Sequence, residues 1–227
     1  MSKRWFHERK REYYHLRAKE EGYASRAAFK LIQLDERFHF LEGARKVLDL
    51  GAAPGGWLQA ASEGMGDDRL ILGVDLQEIS PLGLSGVETL VGDVRSEDTI
   101  QEIRVFFQGR VDVILSDMAP DVSGTWDLDQ FRQIHLARVV LVIADELLRR
   151  DGWLIIKTFQ GSEHDKYVHE VREMFERVKI VKPKASRKKS AEIYLVAHQL
   201  KVPRQLPEGY RPEEEEESVS SPAPSGP

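Results

Sequence analysis

The stretch VLDLGAAPGGWLQ, residues 47–59, decides the fold. It opens on a strand-like apolar run that carries an acid, turns through glycines, and feeds what reads as a helix over about 55–65. A strand, a glycine turn and a helix form the unit that holds a nucleotide at the edge of a parallel sheet. Working outward, the same alternation recurs. LILGVDL (70–76), VETLVGD (87–93), VDVILSD (111–117) and GWLIIKTF (152–159) read as strands. Helices are expected near 97–107, 128–150 and 165–176. Upstream, Ser25 is placed to cap a helix over 26–40, with Ala28, Leu31, Ile32, Leu34 and Phe38 as its apolar stripe. Downstream, VKIVKP (178–183) and AEIYLVAH (191–198) stand seven residues apart, too close for a helical crossover, so they should pair antiparallel. The sum is an α/β protein with a mostly parallel sheet and helices on both faces.

The 227 residues divide into a basic arm (1–23), one catalytic-sized domain (24–202) and an acidic Pro/Glu/Ser tail (203–227) too poor in apolar residues to build a core. Charge is unevenly spread. Residues 1–30 hold nine Lys/Arg against four Asp/Glu, whereas residues 206–227 hold six Glu against one Arg. A basic leading segment raises the expectation of a nucleic-acid partner, although a solvated helix face would carry similar charge. With no cysteine, neither disulfides nor a cysteine-rich zinc site can form. The seven histidines lack metal-ligand spacing, and His164 and His169 read as surface residues; no metal is expected. No apolar run approaches the roughly 20 residues of a membrane span. A soluble, cytoplasmic monomer without membrane contact is expected.

GAAPGG (51–56) nearly matches a dinucleotide fingerprint, but Ala53 stands in the second glycine position and Pro54 removes an N–H that could bind phosphate. Asp75, Asp93 and Asp117 close three successive strands on the ligand-binding edge. Each acid alone reads equally well as a cap. Three together repel a pyrophosphate and suit a cationic ligand with ribose hydroxyls and an amine. S-adenosylmethionine has these features, whereas NAD carries the pyrophosphate that the acids would repel.

The segments SRAAFKL (25–31), VLDLGAAPGGW (47–57), GVDL (73–76), SDMAP (116–120), IIKTFQG (155–161) and KPKASRKKSAEIYLVA (182–197) occur in this order. Together they make the chain resemble the FtsJ/RrmJ-type RNA ribose 2'-O-methyltransferases over about residues 24–198. The resemblance implies a Rossmann-like methyltransferase fold with a seven-stranded sheet and an antiparallel last strand. It implies a catalytic tetrad at Lys30, Asp117, Lys157 and Glu192, and cofactor contacts at Gly55, Trp57, Asp75, Asp93 and Asp117. After SDMAP such enzymes often carry Asn; here the residue is Asp121. The implied reaction is S-adenosylmethionine-dependent methylation of a ribose 2'-hydroxyl, at a uridine of large-subunit (23S-type) rRNA within a ribosomal subunit or its precursor.

The residues support that chemistry. Lys157 interrupts an otherwise apolar strand, and an unpartnered buried lysine is costly, so acidic partners are expected in Asp117 and Glu192. Burial and Lys30 oppose a charge on Lys157, while Asp117 and Glu192 favour it. Proton removal from the hydroxyl and stabilisation of the developing alkoxide both remain open roles. Lys3, Arg4, Arg9, Lys10, Arg11, Arg17, Lys19 and Arg26 can neutralise phosphates, and Trp5, Phe6, Tyr13 and Tyr14 can stack on unpaired bases. Lys182, Lys184, Arg187, Lys188 and Lys189 form a second basic cluster beside Glu192. GTWDLD (124–129) reads as a loop and helix cap that borders the substrate. Three rivals stand beside this reading: a tRNA methyltransferase, a non-catalytic ribosome assembly factor on the same fold, and an NAD-dependent enzyme.

Overall fold

The structure is a computed structural model, and it describes residues 13–201 apart from 122, 162, 188 and 189. Seven strands form one sheet: β1 (Lys46–Leu50), β2 (Leu70–Asp75), β3 (Val87–Val91), β4 (Val111–Ser116), β5 (Leu148–Phe159), β6 (Phe175–Val181) and β7 (Glu192–Leu200). Their order is β3-β2-β1-β4-β5-β7-β6. The first five run parallel. β7 inserts antiparallel between β5 and β6. The expected sheet and its reversed strand are therefore present. The strands β1 and β4 are central and buried on both faces, which is why they read as continuous apolar runs rather than alternating ones.

Among the described residues, six helices flank the sheet: α1 (helical over 13–20), α2 (Ala28–Phe38), α3 (Gly56–Gly64), α4 (Glu97–Phe107), α5 (Trp126–Leu147) and α6 (His164–Met174). Two apolar cores lie on opposite faces. One joins Ile114, Leu154, Ile156 and Leu195 to α4, α5 and α6. The other joins Val47, Val113, Ile155, Tyr194 and Val196 to α2 and α3. Burying each such Leu, Ile or Val stabilises the fold by about 1.5–3 kcal/mol before the ordering entropy is counted.

Three local expectations change. The Ser25 hydroxyl accepts the Ala27 N–H at 3.3 Å, opening a turn, and α2 begins only at Ala28 with Ala27 as its N-cap. His164, expected at the surface, is buried at the start of α6, whereas His169 is exposed. Part of the basic arm is also anchored. Tyr14 and Ala18 of α1 pack with Phe29 and Ala185 in a small third cluster. Tyr14 is thereby withdrawn from base stacking. Residues 1–12, Lys188, Lys189 and the acidic tail lie outside the described residues.

Candidate active site

The edge of the sheet where β1, β2, β4 and β5 end collects the sequence-nominated residues. On one side of it, four charged side chains form a continuous chain of contacts. Lys157 Nζ lies 3.1 Å from Asp117 Oδ1 and also donates to the Asp117 carbonyl. Lys30 Nζ lies 3.5 Å from Asp117 Oδ2 and 2.9 Å from Glu192 Oε2. These residues come from α2, the end of β4, β5 and the start of β7, so no local stretch of chain makes the cluster. Strand geometry explains the meeting. In the antiparallel register Lys157 faces Tyr194 and Phe159 faces Glu192. Residues two apart on a strand share a face, and so do directly opposed residues. Lys157, Phe159, Glu192 and Tyr194 therefore project to the same side, toward α2 and Lys30.

Two partners were not anticipated. The Tyr194 hydroxyl donates to Asp117 Oδ1 at 2.6 Å, and the Ser186 hydroxyl donates to Glu192 Oε1 at 2.8 Å. Lys30 Nζ also sits 5.7 Å from the Tyr194 ring centroid. Tyr194 had a sequence signal, since it stands two residues from Glu192 and must share its face. Burial pushes the Asp117 carboxyl up, but Lys157, Lys30 and the Tyr194 hydroxyl together outweigh it and hold the group below the usual carboxylate range. Burial, with Asp117 and Glu192 nearby, pushes the Tyr194 phenol well up, so it stays a neutral donor. The cluster is charge-balanced, and both lysines are buried.

The glycine turn lies on the other side of the same edge. Gly51 N–H bonds to the Val74 carbonyl at 2.8 Å, tying the turn to β2. A side chain at Gly51 would collide with Met118, and Gly55 takes a left-handed φ of 106° as it enters α3. Asp75 accepts the Ala53 and Gln77 N–H groups, each at 2.9 Å, and so braces the turn. Asp93 lies two residues beyond β3 and is gripped by Arg95 through both carboxylate oxygens, which lowers it below the usual range. Trp57 is buried. Its indole N–H donates to the Ala27 carbonyl at 2.9 Å, and its ring packs against Tyr194. Its backbone N–H, in the first turn of α3, is one of the helix-start donors without an intrahelical acceptor. Asp117 belongs to both sides.

Asp49 was overlooked as a site residue although its position, a lone acid inside a buried strand, is the same signal that singled out Lys157. Neither of its carboxylate oxygens has a hydrogen-bond partner among the described residues. Burial, then the charges of Asp117 and Asp75, push its carboxyl well up. A ligand cation would relieve this arrangement, and the unpaired N–H groups at the start of α3 would receive a ligand carboxylate. These donors and acceptors fit a ligand that carries an ammonium, a sulfonium, a carboxylate and ribose hydroxyls.

The basic turn after β6 is held against this site. The Ala185 N–H bonds to Gln33 Oε1 of α2 at 2.9 Å, and the buried Ser186 holds Glu192. Exposed Lys184 and Arg187 flank these anchors. Among the described residues, no group of three or more His, Asp or Glu could hold a metal ion, and no helix is long and apolar enough to cross a membrane.

Comparison with known proteins gives a consistent pattern. The model of the FtsJ-like methyltransferase family matches residues 23–200. The ribosomal RNA large subunit methyltransferase E of Methanocaldococcus jannaschii is 44% identical over 198 residues, covering 86% of this chain and 81% of that protein. The protein of the same name from Methanothermobacter thermautotrophicus is 43% identical over 201 residues, covering 88% of this chain and 95% of that one. Among solved structures, a Plasmodium falciparum chain described as a ribosomal RNA methyltransferase superposes with a TM-score of 0.69 at 26% identity, over 78% of this chain and 98% of that one.

Proposed function

The chain belongs to the FtsJ-like methyltransferase family, and from that premise we propose that it methylates a ribose 2'-hydroxyl of large-subunit ribosomal RNA, at a uridine, using S-adenosylmethionine. The observation that carries the reaction type is the contact chain Lys157–Asp117–Lys30–Glu192. Its relatives named ribosomal RNA large subunit methyltransferase E support the substrate. RNA is the partner, and the exposed Lys184 and Arg187 beside Glu192 are suited to its phosphates.

Asp49, Asp75, Asp93, Asp117, Gly55 and the first N–H groups of α3, Trp57 included, would hold the cofactor. When bound, S-adenosylmethionine supplies a methyl group on a positively charged sulfur, open to attack by oxygen. Asp75 is suited to ribose hydroxyls and Asp93 to an adenine amine, in competition with Arg95. Gly55 supplies the left-handed φ of 106° that turns the chain into α3, and Leu82 and Ile79 fill the space where a side chain would stand.

A ribose hydroxyl is a poor nucleophile until its proton leaves. Lys157 is the residue we assign to that oxygen, where its ammonium lowers the cost of the developing negative charge while the hydroxyl proton passes to solvent water. Asp117 orients Lys157 through two contacts. Lys30 bridges Asp117 and Glu192, which keeps the two carboxylates from repelling one another. Tyr194 and Ser186 fix the far oxygens of these acids, so the cluster is set before substrate arrives and little reorganisation is needed at the moment of reaction.

The substrate is tested with RNA from cells lacking the protein. Large-subunit, small-subunit and transfer RNAs, each in its native particle or free form, are incubated with methyl-labelled cofactor. Label is expected in the large-subunit RNA. Label confined to tRNA would replace the substrate while leaving the chemistry in place.

A further inference from the structure

An aromatic pair stands beside the reactive cluster and has no part in it. Trp126, the first residue of α5, lies on Phe159, the last residue of β5, with ring centroids 6.0 Å apart and planes 22° from parallel. Phe159 directly opposes Glu192 and lies two residues from Lys157, so it shares their face of the sheet. The outer ring of the pair is therefore one side chain away from the cluster. Trp126 is 47% exposed although it is the bulkiest apolar side chain available. Exposing so much aromatic surface is unfavourable in water unless something covers it.

The position of Trp126 is built in. The buried Asp129 accepts the Ser123 N–H and the Ser123 hydroxyl, each at 2.7 Å, and the Gly124 N–H at 3.3 Å. Ser123 Oγ in turn accepts the Thr125 N–H at 3.1 Å. This clamp fixes the three residues before Trp126 and sets the angle at which α5 begins. Phe159 then holds the indole plane from below. A flat ring that is stacked on Phe159 and still half exposed suits a flat partner.

We propose that Trp126 is a stacking platform for the unpaired base carried by, or next to, the ribose that Lys157 engages. This rests on the RNA methyltransferase reading above and adds a positioning residue to it. Because Phe159 links the platform to Glu192, one RNA nucleotide suits both, offering its ribose to Lys157 and a base to Trp126. Every base has a face to stack, so the platform orients the nucleotide without choosing among sequences. Trp126 acts on binding and alignment; it takes no part in proton or methyl transfer.

The test compares Trp126→Ala, Trp126→Leu and Trp126→Tyr with the wild-type chain on large ribosomal subunits from cells lacking the protein. The readouts are kcat/KM for the particle, cofactor affinity by calorimetry, and thermal melting. Alanine should lower kcat/KM by about tenfold, with cofactor affinity and melting unchanged. Tyrosine should recover most of the loss. Leucine should not, because it offers apolar area without an aromatic face. Unchanged kcat/KM in the alanine variant would overturn the proposal, and leucine matching tyrosine would assign Trp126 to an apolar protein contact instead. A wild-type chain that fails to methylate the particle would overturn the reading beneath the proposal, an outcome visible before any variant is made.

Discussion

The two halves of the site treat their charges in opposite ways. Around Lys157, every charged group has a partner: two lysines, two carboxylates, a phenol and a serine hydroxyl satisfy one another. Around the glycine turn, among the described residues, Asp49 is buried with both oxygens unpartnered, and Asp75 accepts only backbone N–H groups. A group that must act at a reacting atom gains from being fixed in advance, because its orientation is settled during folding. A group that must capture a charged ligand gains from being left unsatisfied, because the ligand then relieves a cost already present in the protein. Asp93, locked to Arg95, departs from this division and marks the outer limit of the binding half.

The largest expected effect comes from the partnered half. Lys157→Ala should slow single-turnover methyl transfer by about 10²–10³-fold, with calorimetry showing cofactor and RNA affinities close to wild type. An interaction made only in the transition state lowers turnover without weakening the ground state. If affinity collapses and the rate at saturation survives, the division between the halves is broken.

The binding half should respond in the reverse sense. Asp75→Ala loses a charge-assisted hydrogen bond, and cofactor affinity should fall by about tenfold, while the rate at saturating cofactor stays near wild type. Unchanged calorimetry would remove Asp75 from the site.

Asp49 sharpens the comparison through stability. Its carboxyl is raised in the folded state, so the fold pays nothing for it below the ordinary carboxylate range and loses stability as pH rises from there through the raised value. Asp117 has the opposite sign. Its lowered carboxyl stabilises the fold above the ordinary range, and that contribution disappears as pH falls through the folded value. Asp49→Asn should therefore raise the melting temperature of the cofactor-free protein at neutral pH and weaken cofactor binding. Urea denaturation followed against pH should show a shallower loss of stability on the alkaline side than in wild type. A melting temperature lowered at neutral pH would show that Asp49 is satisfied in solution.

The smallest effect concerns the basic leading segment. Deleting residues 1–12 spares Tyr14 and Ala18, which pack on the domain. The truncated chain should bind RNA more weakly and with a flatter salt dependence, because fewer counterions are released. Its cofactor affinity should be unaltered. An unchanged salt slope would remove this segment from the RNA contact.

The fold was legible because strands and helices alternate with clear punctuation, and because the ten residues between β6 and β7 are too few for a helical crossover. The four members of the partnered cluster were legible from their motifs, and Lys157 also from its place in an apolar strand. The remaining features depend on segments far apart in the chain. Tyr194 reaches Asp117 across 77 residues, and the Trp57 indole reaches Ala27 across 30. No local pattern reports such a contact. Arg95, two residues from Asp93, was within local reach and shows that charge pairing has to be checked before an acid is counted as free. The anchoring of α1 was hidden for a different reason: its basic and aromatic residues suit an RNA-binding arm as well as a docked helix.

The central claim is that the partnered cluster works on a ribose hydroxyl, and the position of the transferred methyl tests it most directly. RNA methylated with labelled cofactor is hydrolysed in alkali, which cleaves only where a free 2'-hydroxyl can attack the neighbouring phosphate. Label is predicted in alkali-resistant dinucleotides with the wild-type chain and is predicted to vanish with Lys157→Ala. Label recovered in mononucleotides would place the methyl on a base and contradict the account.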